Sequence, residues 1–285
     1  MRIARLSTAL LVVAALTIPA LARAENAEQA AARAKALLAQ GDFDAALAAY
    51  ATAARADQDN RTYVQQYAVV RRVIQIRKQL EAEQDAERWQ YLARALHAFY
   101  ISQGIYSEAL ALDEKIHARL GTASSAAALA ETQLAMDRNA EAAKTLSALK
   151  PSEATPTTQA LLGIALAREG KMDEARRVAA GAKLPEKAGP RMVYTAARLQ
   201  GATGNTQEAL KLLARCFKST APSLLDGYKA HARECPEFTA LASTAAFAEV
   251  LKTKSAVPES KCSGGSGCAG CPMRGKCAHS QGGGE

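Results

Sequence analysis

Apolar residues recur along most of this chain with the three-to-four-residue spacing of an α-helix. The stretch before Gly104 shows the pattern clearly, with apolar residues on one helical face: Leu92, Ala95, Leu96, Phe99 and Tyr100. Aromatic residues make up only 5% of the chain and alanine is abundant, which favours closely packed helices over a β-sandwich. The pattern predicts an all-α fold in which helices dominate residues 27–253.

A short segment recurs along the chain at a nearly constant spacing. In each copy a glycine is followed five positions later by an alanine; the copies begin at Gly41, Gly104, Gly170 and Gly204. A degenerate copy begins at Asp137, so that the last four starting points are 33, 33 and 34 residues apart. Glycine accepts the left-handed conformation that ends a helix, and alanine lets a second helix approach closely. Each copy therefore predicts a pair of helices that must stack on its neighbours to bury its apolar face.

These segments resemble the tetratricopeptide repeat, a helix-turn-helix unit of about 34 residues with this turn glycine, an aromatic residue two positions later and this alanine. Phe43 and Tyr106 match the aromatic position, whereas Asn139, Met172 and Thr206 depart from it. The resemblance covers about residues 27–60 and 90–223. It implies a tetratricopeptide-like helical solenoid of about five helix pairs within residues 25–223.

The repeat family also has a small residue early in the first helix of each pair. Ala34, Ala130, Gly163 and Ala197 match it, but His97 occupies this position in the second clear copy. The resemblance is therefore matched at this position in four of the five copies and departs from the family pattern at His97.

Two regions fall outside the regular repeat. The stretch from Asn60 to Gln90 is irregular and predicts one long helix from Arg61 to about Glu83. After Pro222, two further helices are expected, at about residues 224–233 and 238–253. We interpret residues 224–257 as a helical cap, because a solenoid needs a polar-backed end.

The first 24 residues have the pattern of a secretory signal peptide. A positive start is followed by an apolar run over residues 9–22 and by Ala22-Arg23-Ala24. The run is shorter than the roughly 20 residues that span a bilayer, so we expect cleavage after Ala24 and a soluble, exported, periplasmic protein. Cleavage lowers the formal net charge from +8 to +5, which does not indicate nucleic-acid binding.

The resemblance implies that the first helix of each pair lines a concave groove. The family's groove positions, transferred by register, are Lys35, Tyr91, Arg94, Glu131, Arg168, Arg191, Tyr194 and Arg198. Arginines and tyrosines on such a face would suit an acidic or carboxylate-bearing protein segment. The alternative is that they are ordinary solvated helix residues. The asparagine of the family's carboxylate clamp is missing, so capture of a peptide C-terminus is not expected.

No catalytic motif is identifiable in the sequence. His97, His117 and His231 are scattered without ligand spacing, and there is no Ser-His-Asp order, glycine-rich phosphate loop or paired-carboxylate motif. The sequence therefore predicts a scaffold that binds a protein partner, and not an enzyme.

The residues after Pro258 form a tail rich in glycine and cysteine. Its cysteines, spaced Cys-x5-Cys-x2-Cys-x5-Cys, are Cys262, Cys268, Cys271 and Cys277. Four thiolates can bind zinc, and with Met273 and His279 nearby they would also accept Cu(I). In an oxidising compartment the same cysteines could instead form disulfides, or the tail could be a flexible interaction segment. A metal carrier or thiol-redox accessory protein is therefore the alternative function.

Two further cysteines lie within the helical region. Cys216 is predicted in the second helix of the last pair and Cys235 between the two cap helices, so they could meet in a disulfide. The alternative is two buried free thiols.

Overall fold

The computed structural model describes residues 25–258. These residues form thirteen α-helices and one 3-10 turn, and they contain no β-strand. The prediction of an all-helical fold is therefore confirmed for this part of the chain. None of its helices combines the length and the apolar character needed to cross a membrane. The chain divides into two compact units between Ala82 and Glu83.

The described residues of the first unit, 25–82, form three helices. They are α1 (Ala27–Ala39), α2 (Phe43–Ala56) and α3 (Arg61–Ala82). The side chains of Asn26 and Gln29 form a capping box that begins α1. Helix α2 packs against both α1 and α3, and the Arg77 guanidinium of α3 lies 4.4 Å from the centre of the Phe43 ring. The long helix predicted from Arg61 is thus confirmed, and it ends within one residue of the expected position.

The second unit begins with eight helices that follow one another through short connections. They are α4 (Ala86–Ser102), α5 (Tyr106–Leu120), α6 (Ala123–Ala135), α7 (Asn139–Ser147), α8 (Pro156–Arg168), α9 (Met172–Gly181), α10 (Pro190–Ala202) and α11 (Thr206–Ser219). Helix α4 packs on α5, α6 on α7, α8 on α9 and α10 on α11, and α8 also contacts α6 and α10. With α1 and α2 of the first unit, which α3 separates from α4 in the chain, the described residues contain five helix pairs.

The turn between the two helices of each pair has the predicted left-handed backbone. The angle φ is positive at Gly41, Gly104, Gly170 and Gly204. At the degenerate copy Asp137 has a φ of 56°, and it is the one residue other than glycine with a positive φ in the described chain. The five alanines that follow these turns are fully buried: Ala46, Ala109, Ala142, Ala175 and Ala209. The structure therefore has a left-handed turn and a buried alanine at the positions that the sequence pattern predicts.

Two contacts show how closely these helices approach one another. A Cβ atom on Gly163 of α8 would lie 2.4 Å from the Leu199 Cδ1 atom of α10, so only glycine fits there without a shift of the leucine. The Trp89 side chain of α4 is buried, and the guanidinium of Arg119 from α5 lies 4.4 Å from the centre of its ring. Close backbone approach and an aromatic anchor therefore both hold helices of this unit together.

The C-terminal region differs from the prediction. Helix α12 (Pro222–Glu234) is present as expected, but the second predicted helix, 238–253, is interrupted. A 3-10 turn (Pro236–Phe238) and further turns precede α13 (Ala245–Leu251), which begins where the Thr244 side chain accepts a hydrogen bond from the Phe247 amide. Thr244 is thus a helix N-cap inside the span predicted to be one helix.

Candidate partner groove

A groove of about 850 Å³ lies in the second unit. Its walls come mainly from α4, α6, α8, α10 and α12, so the first helix of each pair in this unit contributes to it. Small side chains such as Ala98, Ala128 and Ala135 leave the space open, while Tyr106 and Leu224 stand exposed at its edge. The volume falls within the range of sites that bind small ligands or short peptide segments.

Five of the eight groove residues predicted from the sequence line this space. They are Glu131, Arg168, Arg191, Tyr194 and Arg198. Tyr91 and Arg94 lie on α4 as exposed residues outside the lining. Lys35 is exposed on α1, in the other compact unit.

Glu237, in the 3-10 turn, binds two of these arginines. Its carboxylate oxygen Oε1 accepts a hydrogen bond of 2.7 Å from Arg168 Nε, and Oε2 accepts one of 3.1 Å from Arg198 Nε. The Cys235 thiol also donates to Oε2, at 2.7 Å. Burial by itself would raise the pKa of Glu237, but Arg198 and Arg168 outweigh it and lower the pKa to about 2. The carboxylate is therefore charged and fully engaged by the chain itself.

The other polar groups of the lining arginines also have partners within the chain. Arg168 Nη1 donates a hydrogen bond of 2.7 Å to the Leu134 carbonyl oxygen. Arg191 forms an ion pair with Glu131. None of the three lining arginines therefore offers an unpaired charge to an acidic ligand.

A pair of aromatic side chains joins α10 to α12 at the groove. The Tyr194 hydroxyl lies 2.6 Å from His231 Nδ1, and the rings of Tyr194 and Tyr228 make an edge-to-face contact at 5.1 Å. Burial raises the pKa of Tyr194, while burial and the charge of Arg198 lower the pKa of His231. These shifts favour a neutral pair in which the hydroxyl donates to the imidazole.

A second buried carboxylate lies near the α4–α6 side of the groove. Asp113 of α5 is 1% exposed, and its Oδ2 accepts a 2.6 Å hydrogen bond from Thr132 Oγ1. The nearest basic group is the His97 imidazole, whose Nε2 lies 3.2 Å from the same oxygen but outside hydrogen-bonding geometry. The other oxygen, Oδ1, is buried without a hydrogen-bond partner. Because His97 and Thr132 line the groove, Asp113 lies directly behind its wall.

Sequence reasoning gave no role to Glu237, Asp113 or Cys235 in the groove. A signal for Asp113 was present, because it falls on the same helical face as the buried Ala109, Leu110 and Leu112. Glu237 has no such signal, since the arginines that it binds lie 69 and 39 residues away in the chain.

Cys216 and Cys235 are both free and buried, so the suggested disulfide is absent and the alternative of two free thiols describes the structure. Each sulfur has its own partners: Cys216 Sγ lies 3.4 Å from the Pro190 carbonyl, and Cys235 bonds to Glu237. Burial raises the pKa of Cys216 to about 11 and that of Cys235 to about 12. Both are therefore protonated thiols with little nucleophilic character at neutral pH.

Other sequence-based sites lie outside the described residues. These are the signal peptide over residues 1–24 and the tail ligands Cys262, Cys268, Cys271, Cys277, Met273 and His279. Within residues 25–258, no group of three or more histidine, cysteine, aspartate or glutamate side chains could hold a metal ion.

No protein-family model and no curated protein matches this chain. The functional interpretation therefore depends on the groove and on the repeat pattern.

Proposed function

We propose that this protein is a tetratricopeptide-like scaffold that binds a segment of a protein partner in the groove of its second unit. Five helix pairs with glycine or aspartate in a left-handed turn and with a buried alanine five positions later support the repeat assignment. The groove supports the binding role, because the first helices of successive pairs line it, as in helical repeat proteins that bind peptides. Residues 224–257 serve as the cap of the array in this proposal.

The character of the groove wall favours a peptide over a small polar metabolite. Exposed Tyr106 and Leu224 and partly buried Tyr228 provide apolar and aromatic contact area, which is enriched at protein interfaces. Cys216 and Cys235 are protonated thiols, and the Arg168–Glu237 ion pair holds the fold together. Binding is therefore the activity that these side chains support best.

The scaffold is proposed to act in an exported, periplasmic location. This part of the proposal rests on the positive start, the apolar run and the Ala-x-Ala site within residues 1–24. A second candidate function is a carrier of zinc or Cu(I), which rests on the spacing of the four tail cysteines. In that case the groove would dock a client while the tail binds the metal.

A bulky side chain at Gly227 tests the binding function directly. Gly227 lines the groove, and a Cβ atom there meets no other atom within 4 Å, so we expect Gly227→Phe to obstruct the groove without a clash at its Cβ atom. Gly181→Phe is the matched control, because Gly181 is equally open but lies outside the lining. We expect peptides selected from a random displayed library on the wild-type protein to bind the Gly181→Phe variant and not the Gly227→Phe variant.

The proposal fails if no peptide is selected, or if the selected peptides bind both variants equally well. Circular dichroism melting curves of both variants serve as the folding control, and these should resemble that of the wild type.

A further inference from the structure

The charges around the groove are unequal once their internal partners are counted. Three guanidinium groups and three carboxylates line it: Arg168, Arg191, Arg198, Glu131, Asp137 and Glu234. Two more carboxylates lie one layer behind: Glu237, bonded to Arg168 and Arg198, and Asp113, bonded to Thr132. Five carboxylates therefore face three guanidinium groups.

The surplus negative charge is not held in tight internal ion pairs. Glu234 is exposed at the C-terminal end of α12 and forms no ion pair within residues 25–258. The Asp137 side chain is 88% exposed, and its one ionic contact, 3.7 Å to Arg168, is to a guanidinium that Glu237 already binds. Both carboxylates line the groove and are exposed, so a charged ligand could reach them.

Asp113 provides an independent observation on the other side. A buried carboxylate oxygen with no hydrogen-bond partner is costly, and folded proteins rarely leave one uncompensated. Oδ1 of Asp113 is such an atom, and it lies behind the lining residues His97 and Thr132. A cation bound in the groove next to these two residues would offset its charge.

From these observations we infer that the partner segment is basic, carrying lysine or arginine between apolar residues. This inference rests on the proposed binding function and names the chemistry of its ligand. The carboxylates of Glu234 and Asp137 and the field of Asp113 attract the cationic side chains. The rings of Tyr106 and Tyr228 contact the apolar residues and the cations alike. An acidic segment finds no unpaired guanidinium in the lining, because Glu237 and Glu131 occupy all three.

Two pools of fluorescent synthetic peptides test the inference on the full-length protein. The peptides are about ten residues long and share the same apolar positions; one pool has lysine and arginine at the remaining positions, and the other has aspartate and glutamate. Fluorescence anisotropy should show the basic pool binding at least about tenfold more tightly than the acidic pool. Added salt should weaken the binding, because part of the attraction is exposed to solvent.

A pair of charge-reversal variants on one helix provides the control. Glu234→Lys should weaken binding of the basic pool by about tenfold. Asp226→Lys makes the same change in net charge on α12, but Asp226 is exposed outside the groove lining and should leave the affinity nearly unchanged.

Each outcome discriminates between the inference and the proposed function. Tighter binding of the acidic pool, abolished by Gly227→Phe, overturns the inference and leaves the groove as a peptide site. Failure of both pools to bind overturns both. Equal loss in Glu234→Lys and Asp226→Lys overturns the inference, because the attraction would then come from overall charge. Self-association of the full-length chain that Gly227→Phe abolishes would identify a second copy as the occupant and would also overturn it.

Discussion

Glu237 and Asp113 are both buried carboxylates next to the groove, but their surroundings differ in one respect. Two guanidinium groups and a thiol satisfy both oxygens of Glu237. Asp113 has one hydroxyl donor, an imidazole outside hydrogen-bonding geometry and one oxygen without a partner. A buried carboxylate that is held by two guanidinium groups stabilises the fold, whereas a buried carboxylate such as Asp113, with only the His97 imidazole nearby and one oxygen without a hydrogen-bond partner, is costly to the fold. Replacing the carboxylate by the corresponding amide should therefore destabilise the fold at Glu237 and leave it unchanged or slightly stabilised at Asp113.

The largest effect is expected from Glu237→Gln. It keeps the shape of the side chain but leaves Arg168 and Arg198 without their negative partner, at a cost of about 3 to 5 kcal/mol. Urea denaturation followed by circular dichroism measures this free energy. Glu234→Gln is the control, since Glu234 is exposed. A cost below about 1 kcal/mol at Glu237 would mean that its ion pairs contribute no more than surface ones.

The pH dependence of stability should reveal the same ion pairs. The folded-state pKa of Glu237 is lowered from 4.5 to about 2, so its contribution is present above about pH 4.5 and is lost as the pH falls towards 2. That shift corresponds to about 3 kcal/mol. The difference in unfolding free energy between wild type and Glu237→Gln should therefore shrink across this range. A difference that stays constant with pH would contradict the assignment.

Gly201→Ala tests the packing that holds Glu237 in place. A Cβ atom on Gly201 of α10 would lie 2.5 Å from the Glu237 carbonyl oxygen, so the 3-10 turn must move away. We expect a loss of about 1 to 3 kcal/mol in thermal or urea unfolding. Gly227→Ala, where the Cβ meets open space, should be neutral or slightly stabilising. Equal stability of the two variants would show that the turn is not tightly packed.

Asp113→Asn should leave stability unchanged or raise it by up to about 1 kcal/mol, because it removes a buried charge that has one oxygen without a hydrogen-bond partner, while an amide oxygen can still accept from Thr132. The same variant should bind the basic peptide pool less tightly. Urea denaturation and anisotropy measure the two effects. A destabilisation as large as that of Glu237→Gln would remove the distinction between the two carboxylates.

Asp137→Gly concerns a third carboxylate, which is exposed and contributes little electrostatically. Its left-handed backbone, with φ at 56°, is strained for aspartate and relaxed for glycine. We expect a gain of about 0.5 to 1 kcal/mol in urea unfolding. Asp137→Ala should give no gain, and a stabilisation by alanine would rule out the backbone explanation.

The sequence was sufficient to place the helix pairs, because their determinants are local. A glycine such as Gly104 and an alanine such as Ala109 act within a few residues of their own positions, and the structure has both as expected. The interruption before α13 was missed. The N-cap signal of Thr244 lies within an apolar pattern that reads as one continuous helix.

The groove was only partly predictable, for a physical reason. Register placed Arg168 and Arg198 on its wall, but whether their charges are free depends on Glu237, which reaches them only after the chain has folded back. His97 and Asp113 each break a local rule, one as a large residue at a small position and the other as a charge on a buried face. The sequence does not indicate that these two residues are neighbours; the structure shows it, with the His97 imidazole 3.2 Å from the Asp113 carboxylate.

The chain contains a single tryptophan, Trp89, buried beneath Arg119 at the start of the second unit. Its fluorescence therefore reports on the immediate surroundings of Trp89 on α4, and the first unit contributes no tryptophan emission. Circular dichroism, by contrast, averages over the helices of both units. If the two probes give unfolding curves that do not coincide, the units unfold separately, and each stability can be assigned without cutting the chain.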